Sequence, residues 1–238
     1  MRRALAVAAL ALVSGACDYS TGLVQAPGST EPAKSVAKPP GPGPGGQDRP
    51  RFQAKIEPIS PELRARMTSW RPGCPVGLRD LRLLTLSHWG FDGEPHFGRL
   101  IVARGQAKNV VKAMHRLFDL KFAIRRMRLI DAYGSDDHRS MAANNTSAFN
   151  CRFVFGTTRW SEHAYGRAID INPIQNPAVE GSRVSPPAGR PYANRSRRAK
   201  GMIHAGDAVV RAFAAVGWEW AGYWRGFTDY QHFSATGR

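Results

Sequence analysis

Ser161-Glu162-His163-Ala164-Tyr165-Gly166-Arg167-Ala168-Ile169-Asp170-Ile171-Asn172-Pro173 is the stretch that decides the fold. Within it, His163 precedes Asp170 by seven positions. Two residues seven apart on one strand face opposite sides, because side chains alternate with period two. Gly166 permits a turn between them, so His163 can fold back beside the strand predicted around Asp170. An imidazole nitrogen and a carboxylate oxygen would then face one point, as two ligands of a divalent metal do.

A third ligand must come from elsewhere, and His232, near the C-terminal end of the sequence, is the best candidate. Three nitrogen and carboxylate ligands leave one position of a tetrahedral zinc ion open for water. Zinc lowers the pKa of such a water, and the reaction then needs a base to take the proton. Asp229 stands three residues before His232, an offset that suits a carboxylate held beside the metal rather than bound to it.

The first 17 residues predict an export signal. Met1-Arg2-Arg3 is basic, a continuous apolar run follows, and small residues lead to Cys17. The run is too short for a membrane-spanning helix and has the length of a signal peptide. The placement of Cys17 is similar to a bacterial lipoprotein signal, although Ser14 stands where leucine is usual. We expect an exported protein of the periplasm or cell envelope, with membrane contact only through a lipid on Cys17 if it is attached.

Residues 18–51 are rich in Gly, Pro, Ser and Ala, with a Pro-Gly repeat at residues 39–46. Such a segment has too little apolar surface to bury, which predicts a disordered tether. From residue 52 the composition becomes globular, and residues 52–238 have the size of one domain.

The formal net charge of +16 in 238 residues favours an anionic partner or surface. Nucleic acid, acidic lipid headgroups and anionic cell-wall polymer all satisfy this charge. No nucleic-acid-binding motif is recognisable, so a nucleic-acid binder rests on charge alone. Residues 190–200 carry a basic cluster that predicts a solvated loop face, with contact to anionic wall polymer as the alternative.

Cys74 and Cys151 are the other two cysteines. In an exported protein they favour a disulfide, and the alternative is two unrelated buried thiols. Neither has a Cys or His neighbour at ligand spacing, which argues against a zinc site.

Helices and strands do not alternate regularly along residues 52–238, which favours an α+β fold with a small antiparallel sheet and flanking helices. Ser60 followed by Pro61 predicts the start of a helix. Apolar spacing predicts helices over residues 106–120 and 207–216. Strands are predicted over residues 81–89, 97–102, 126–133 and 148–154, with a polar loop over residues 134–145 and an irregular insert after Pro173.

Two motifs together, Ser161-x-His163-x-x-Gly166-x-Ala168-x-Asp170-Ile171 and Asp229-x-x-His232-Phe233, resemble the D-alanyl-D-alanine carboxypeptidase family of zinc peptidases. That family includes the vancomycin-resistance dipeptidases and the L-alanyl-D-glutamate endolysins, and its fold is of the D-Ala-D-Ala peptidase and hedgehog type. The resemblance extends from about Tyr133 to the end of the sequence. It implies that His163, Asp170 and His232 bind Zn²⁺ and that Asp229 is the catalytic acid and base.

The sequence departs from the family pattern at one position. The family places an arginine directly after a tyrosine, some 30 residues before the first ligand, but here Gly134 follows Tyr133. We expect Arg152 to replace this arginine as the group that stabilises the oxyanion, with Arg139 as the alternative. Arg139 and Ser161 are also the candidates for contacts to substrate.

The resemblance implies an exported zinc peptidase that hydrolyses peptidoglycan stem peptides, as a D,D-carboxypeptidase or an endopeptidase. The missing arginine leaves a different reading open, a catalytically inert wall-binding module on the same fold.

Overall fold

The computed structural model describes residues 50–238. The predicted signal peptide (residues 1–17, with Cys17) and residues 18–49 of the predicted tether lie outside these residues. Within residues 50–238, no helix combines the length and the hydrophobicity that a membrane span requires. Packing begins at Phe52, whose ring stacks on that of His115 with centroids 4.7 Å apart.

The described chain forms three small antiparallel sheets and a few helices, which confirms the predicted α+β class. The strands are β1 (Ala54–Pro58), β2 (Leu81–Trp89), β3 (Pro95–Ala103), β4 (Ala168–Asp170), β5 (Ala178–Glu180), β6 (Arg183–Ser185), β7 (Glu219–Trp220), β8 (Phe227–Asp229) and β9 (His232–Ser234). The α-helices are α1 (Pro61–Arg66), α2 (Ala107–Asp119), α3 (Asp137–Ala142) and α4 (Ala208–Ala214). The sheets have the strand orders β1-β2-β3, β4-β9-β7 and β6-β5-β8.

The best-predicted elements surround the main core. Strand β2 and helix α2 keep the predicted positions. Helix α4 begins one residue after its predicted start at Asp207, whose side chain caps it by accepting from the N–H of Val210 at 2.9 Å. Their apolar faces pack on Ile169 and Phe233, which are completely buried. The core therefore fixes β4 and β9 from behind, on the side away from Asp170 and His232.

Residues 126–133, predicted as a strand, do not form one. Met127 makes an isolated bridge to Thr146, and a 3₁₀ helix follows over Ile130–Tyr133. The side-chain amide of Asn145 explains the difference, because it accepts from the N–H of Arg128 at 2.9 Å and donates to its carbonyl at 3.0 Å. A side chain thus takes the bonds that a neighbouring strand would make.

The strand predicted over residues 148–154 is also wrong. Its successive N–H groups donate to different segments: Phe149 to Ile101, Asn150 to His163 and Cys151 to Ser69. Because no single neighbour accepts them, no ladder forms. The segment instead joins both hydrophobic clusters of the domain to the His163 loop.

The irregular regions contain more order than predicted. Helix α3 lies in the predicted loop, and β5 and β6 form a hairpin within the insert after Pro173. Arg195 of the basic cluster is half-buried, donates to the carbonyl of Gln175 at 2.9 Å and lies over the ring of Tyr230. The expectation of a solvated loop face is therefore wrong at this arginine. Cys74 and Cys151 form the favoured disulfide.

Gly166 makes the turn that places His163 beside β4. Its φ of +65° ends a 3₁₀ helix over Glu162–Tyr165, and β4 starts two residues later. A Cβ at this position would meet the backbone nitrogen of Ala103 at 2.5 Å. The position therefore requires glycine both for its left-handed conformation and for the close approach of β3.

We predict that Gly166→Ala destabilises the protein well beyond the ~1–2 kcal/mol that a left-handed alanine costs. Denaturant unfolding measures the loss in the free energy of unfolding. Gly181→Ala is the matched control, because Gly181 has a φ of +55° with nothing within 4 Å of the added Cβ. An equal decrease in the free energy of unfolding in the two variants would show that the contact with Ala103 does not contribute to the effect.

Candidate metal centre

His163, Asp170 and His232 meet at one point. Each offers one ligand atom, and these atoms all lie within 4.8 Å of one another. The register of the second sheet accounts for two of the three, since Asp170 and His232 are directly opposed on β4 and β9. Opposed residues of an antiparallel pair present their side chains on the same face. The Gly166 turn brings in the third, and the two imidazole centroids are 5.1 Å apart.

The distances between the facing atoms fit a tetrahedral cation. His163 Nε2 lies 3.2 Å from His232 Nδ1 and 3.3 Å from Asp170 Oδ2, and His232 Nδ1 lies 3.0 Å from Asp170 Oδ1. Bonds of about 2.0–2.1 Å in a tetrahedron separate two ligand atoms by roughly 3.3 Å.

The outer nitrogen of each ring is fixed by a backbone carbonyl. His163 Nδ1 lies 2.6 Å from the oxygen of Ala148, and His232 Nε2 lies 3.0 Å from the oxygen of Arg238. A carbonyl only accepts, so each outer nitrogen carries a proton, which leaves His163 Nε2 and His232 Nδ1 as the atoms that can bind a metal. Two inward ring nitrogens beside a carboxylate, all largely buried, form a ligand set that suits a divalent cation.

The pKa of Asp170 is lowered and that of His232 is raised, as expected when a carboxylate and an imidazole interact. Burial on its own raises the pKa of Asp170, but the charge and hydrogen bonds of His163 and His232 outweigh it and hold that pKa well below its usual range. Burial lowers the pKa of His232, and its hydrogen bond and attraction to Asp170 outweigh this and raise it. The carboxylate is therefore ionised, as a metal ligand must be.

Asp229 ends strand β8 and is half-buried. Its Oδ1 is buried without a hydrogen-bond partner among the described residues. Burial, reinforced by the negative charge of Asp170, raises the pKa of Asp229 to about 6. A carboxyl group with this pKa can both take and return a proton near neutral pH.

The arginine candidates occupy different environments. Arg152 forms an ion pair with Asp137, and its Nη1 donates to the carbonyl of Phe153 at 3.3 Å. Its own carbonyl accepts from the N–H of Ser161, two residues before His163. Arg139 lies exposed on α3. The structure therefore ties the backbone of Arg152, rather than that of Arg139, to the segment that carries the first histidine.

Ser161 is buried, and its hydroxyl accepts from the backbone N–H of His163 at 3.3 Å. It caps the 3₁₀ helix over Glu162–Tyr165 and so positions the histidine. This contact is structural, and a contact of Ser161 with substrate stays a prediction.

Two features of the site escape prediction from sequence. The group that orients the ring of His163 is the backbone carbonyl of Ala148. Every residue has such a carbonyl, so the amino-acid type at position 148 does not reveal this contact. Asn150 donates from its side chain to Asp137 Oδ1 at 2.8 Å and from its backbone to the carbonyl of His163 at 3.2 Å. Its only signal in the sequence is a polar residue within an otherwise apolar run.

The three tryptophans near the C-terminus divide into two groups. Trp218 and Trp220 are buried in the core, as expected of most tryptophans. Trp224 is half-buried, and its ring centroid lies 5.6 Å from that of His232. Trp224 therefore forms part of the wall of the site.

We predict that purified protein binds about one zinc ion per chain, since three convergent protein ligands define one site. His163→Ala and His232→Ala should each reduce the zinc content, measured by elemental mass spectrometry, to the background level. His115→Ala is the control, because that histidine is exposed on α2. Retention of zinc by both ligand variants would place the metal elsewhere.

Comparison with protein-family models matches residues 155–235 to the family described as D-alanyl-D-alanine carboxypeptidase. Comparisons with curated proteins and with solved structures found no match. The matched range contains the His-Asp-His cluster and Asp229, and it supports a hydrolase of the peptidase class. Residues 155–235 are therefore similar to the D-alanyl-D-alanine carboxypeptidase family, the family that the two motifs resemble.

Proposed function

We propose that the protein is an exported zinc peptidase that hydrolyses peptidoglycan stem peptides, as a D,D-carboxypeptidase or an endopeptidase. The observation that carries this proposal is the meeting of His163, Asp170 and His232, inside the range that matches the peptidase family. Asp229 lies close enough for the charges of Asp170 and His232 to shift its pKa. The other residues of the site are assigned roles by their contacts.

His163, Asp170 and His232 would hold the zinc ion through His163 Nε2, His232 Nδ1 and a carboxylate oxygen. When bound, zinc supplies Lewis acidity and lowers the pKa of water. The protein contributes the fixed tautomers, which spare the rings any reorientation before the metal binds.

Asp229 is the proposed acid and base. Its buried Oδ1 has no partner among the described residues, so it is free to accept a proton from a water molecule. The same carboxylic acid can then deliver the proton to the leaving amine, as general acid–base catalysis of amide hydrolysis requires.

Arg152 is the proposed oxyanion-stabilising group. Asp137 and the carbonyl of Phe153 engage part of its guanidinium group. An arginine carries five N–H donors, so donors remain for a substrate oxygen. The bond from Asn150 to Asp137 holds the counter-ion, and through it the arginine, in place.

The cellular setting of the proposal comes from the sequence. The predicted signal at residues 1–17, with Cys17 as a lipidation candidate, and the tether after it suit an enzyme that reaches into a cell wall. The net charge of +16 suits an anionic wall polymer.

A second candidate is an inert wall-binding module. The observations that favour it are Gly134 at the position of the family's arginine and the engagement of Arg152 by Asp137. Both candidates bind zinc and wall material, so only hydrolysis separates them.

The decisive experiment is digestion of purified peptidoglycan, with mass spectrometry of the products. We predict that zinc-loaded protein releases D-alanine or peptide fragments and that chelator-treated protein releases none. Asp229→Asn should keep the zinc and lose activity by at least ~100-fold, the usual scale of a general base. Product release by the wild type alone supports the peptidase, and absence of release from any protein supports the inert module.

The pH profile tests the role of Asp229 more narrowly. A base must be ionised, and Asp229 has a pKa of about 6 without a cation. A bound cation favours the carboxylate and lowers this pKa. The activity kcat/KM should therefore fall as the pH decreases through a value at or below about 6. An acidic limb that is unchanged in the residual activity of Asp229→Asn would assign the base to another group.

A further inference from the structure

We propose that the hairpin over residues 153–160 is an aromatic platform that binds the glycan next to the stem peptide. The inference rests on the proposed function for the identity of the substrate, and it adds a second contact region outside the metal centre. It concerns Phe153, Phe155 and Trp160.

Exposed aromatic side chains in the described chain concentrate in the sequence just before the two histidine ligands. Five aromatic residues among the large hydrophobic side chains are exposed: Phe97, Phe153, Phe155, Tyr223 and Phe227. All except Phe97 precede His163 or His232 by ten residues or fewer. Contiguous exposed apolar groups mark binding surfaces, and the hairpin offers such a group.

Phe155 is the extreme case. Its side chain is 85% exposed, and it lies close to the turn of the hairpin. Phe153 is 40% exposed, and its ring stacks on that of Trp160 with centroids 4.0 Å apart. The pair therefore forms a continuous apolar surface at the base of the hairpin.

The hairpin is built to hold these rings in place. Phe153 and Trp160 form an antiparallel bridge, and the N–H of Val154 donates to the carbonyl of Arg159 at 2.8 Å. Within the turn, the hydroxyl of Thr157 donates to the carbonyl of Val154 at 2.9 Å. Such bonds reduce the conformational entropy that a loop loses on binding.

Both ends of the hairpin are anchored at the site. Before it, Cys151 is tied to Cys74 by the disulfide, and Arg152 is the proposed oxyanion-stabilising residue. After it, Ser161 caps the helix that carries His163. The hairpin therefore directly joins the segment that carries Arg152 to the segment that carries His163.

The chemistry of the hairpin fits a sugar. One face of a pyranose ring consists of C–H groups, which pack on an aromatic ring by dispersion and desolvation. Arg71 lies over the ring of Trp160, with its guanidinium carbon 5.9 Å from the centroid, and both Arg71 and Arg159 are exposed. Their donors suit sugar hydroxyl and amide oxygens and the carboxylates of a stem peptide.

The test compares one stem peptide with and without its N-acetylglucosaminyl-N-acetylmuramyl disaccharide. For wild-type protein we expect a higher kcat/KM on the glycan-linked peptide. Phe155→Ala should lower the ratio of the two kcat/KM values about three- to tenfold, the scale of one lost aromatic contact. Phe97→Ala is the matched control, because Phe97 is 62% exposed on β3, and it should leave the ratio unchanged.

A binding measurement makes the inference independent of hydrolysis. The disaccharide without peptide is titrated into wild-type, Phe155→Ala and Phe97→Ala proteins and followed by NMR of the aromatic resonances. Binding that weakens only in Phe155→Ala supports the platform even if no peptide is cleaved, in which case the proposed function alone fails. Equal binding or equal ratios in the two variants would overturn the inference.

Discussion

The structure depends on the close approach of two imidazole nitrogens and one carboxylate. These atoms are separated by 3.0–3.3 Å and lie in a largely buried pocket. Two ring nitrogens and a carboxylate this close together need a proton or a cation between them, because unpaired polar groups are unfavourable away from water. The fold around them supplies the packing energy that offsets this arrangement.

Two local constraints create the approach. The antiparallel register of β4 and β9 opposes Asp170 to His232, across 62 residues of sequence. The left-handed Gly166, packed against Ala103, returns His163 to the same point. The core behind β4 and β9 fixes the first constraint and strand β3 fixes the second, so the metal centre is connected to both main parts of the domain.

The sequence alone predicted what is encoded in residue type and spacing. The His-Gly-Asp pattern, the family resemblance and the α+β class were accessible because glycine, ligand residues and apolar periodicity leave local signals. Helix α2, with its apolar stripe and Gln106 before it, was predicted within one residue at each end. The roles assigned to His163, Asp170, His232 and Asp229 stay predictions, although the geometry brings the ligand atoms together.

The features that the sequence did not predict depend on hydrogen-bond partners and charges that lie far away in sequence. Residues 126–133 and 148–154 have the composition of strands, but the amide of Asn145 and three separate acceptors take their backbone bonds. Arg195 belongs to a basic cluster, but it is half-buried because it donates to the backbone carbonyl of Gln175. The raised pKa of Asp229 likewise follows from burial and from Asp170, a residue distant in sequence.

X-ray absorption at the zinc edge tests the central claim most directly. The account predicts a first shell of about four nitrogen and oxygen ligands near 2.0–2.1 Å, with the outer-shell scattering of two imidazole rings and no sulfur. A first shell with sulfur, or with fewer than two imidazoles, would contradict it.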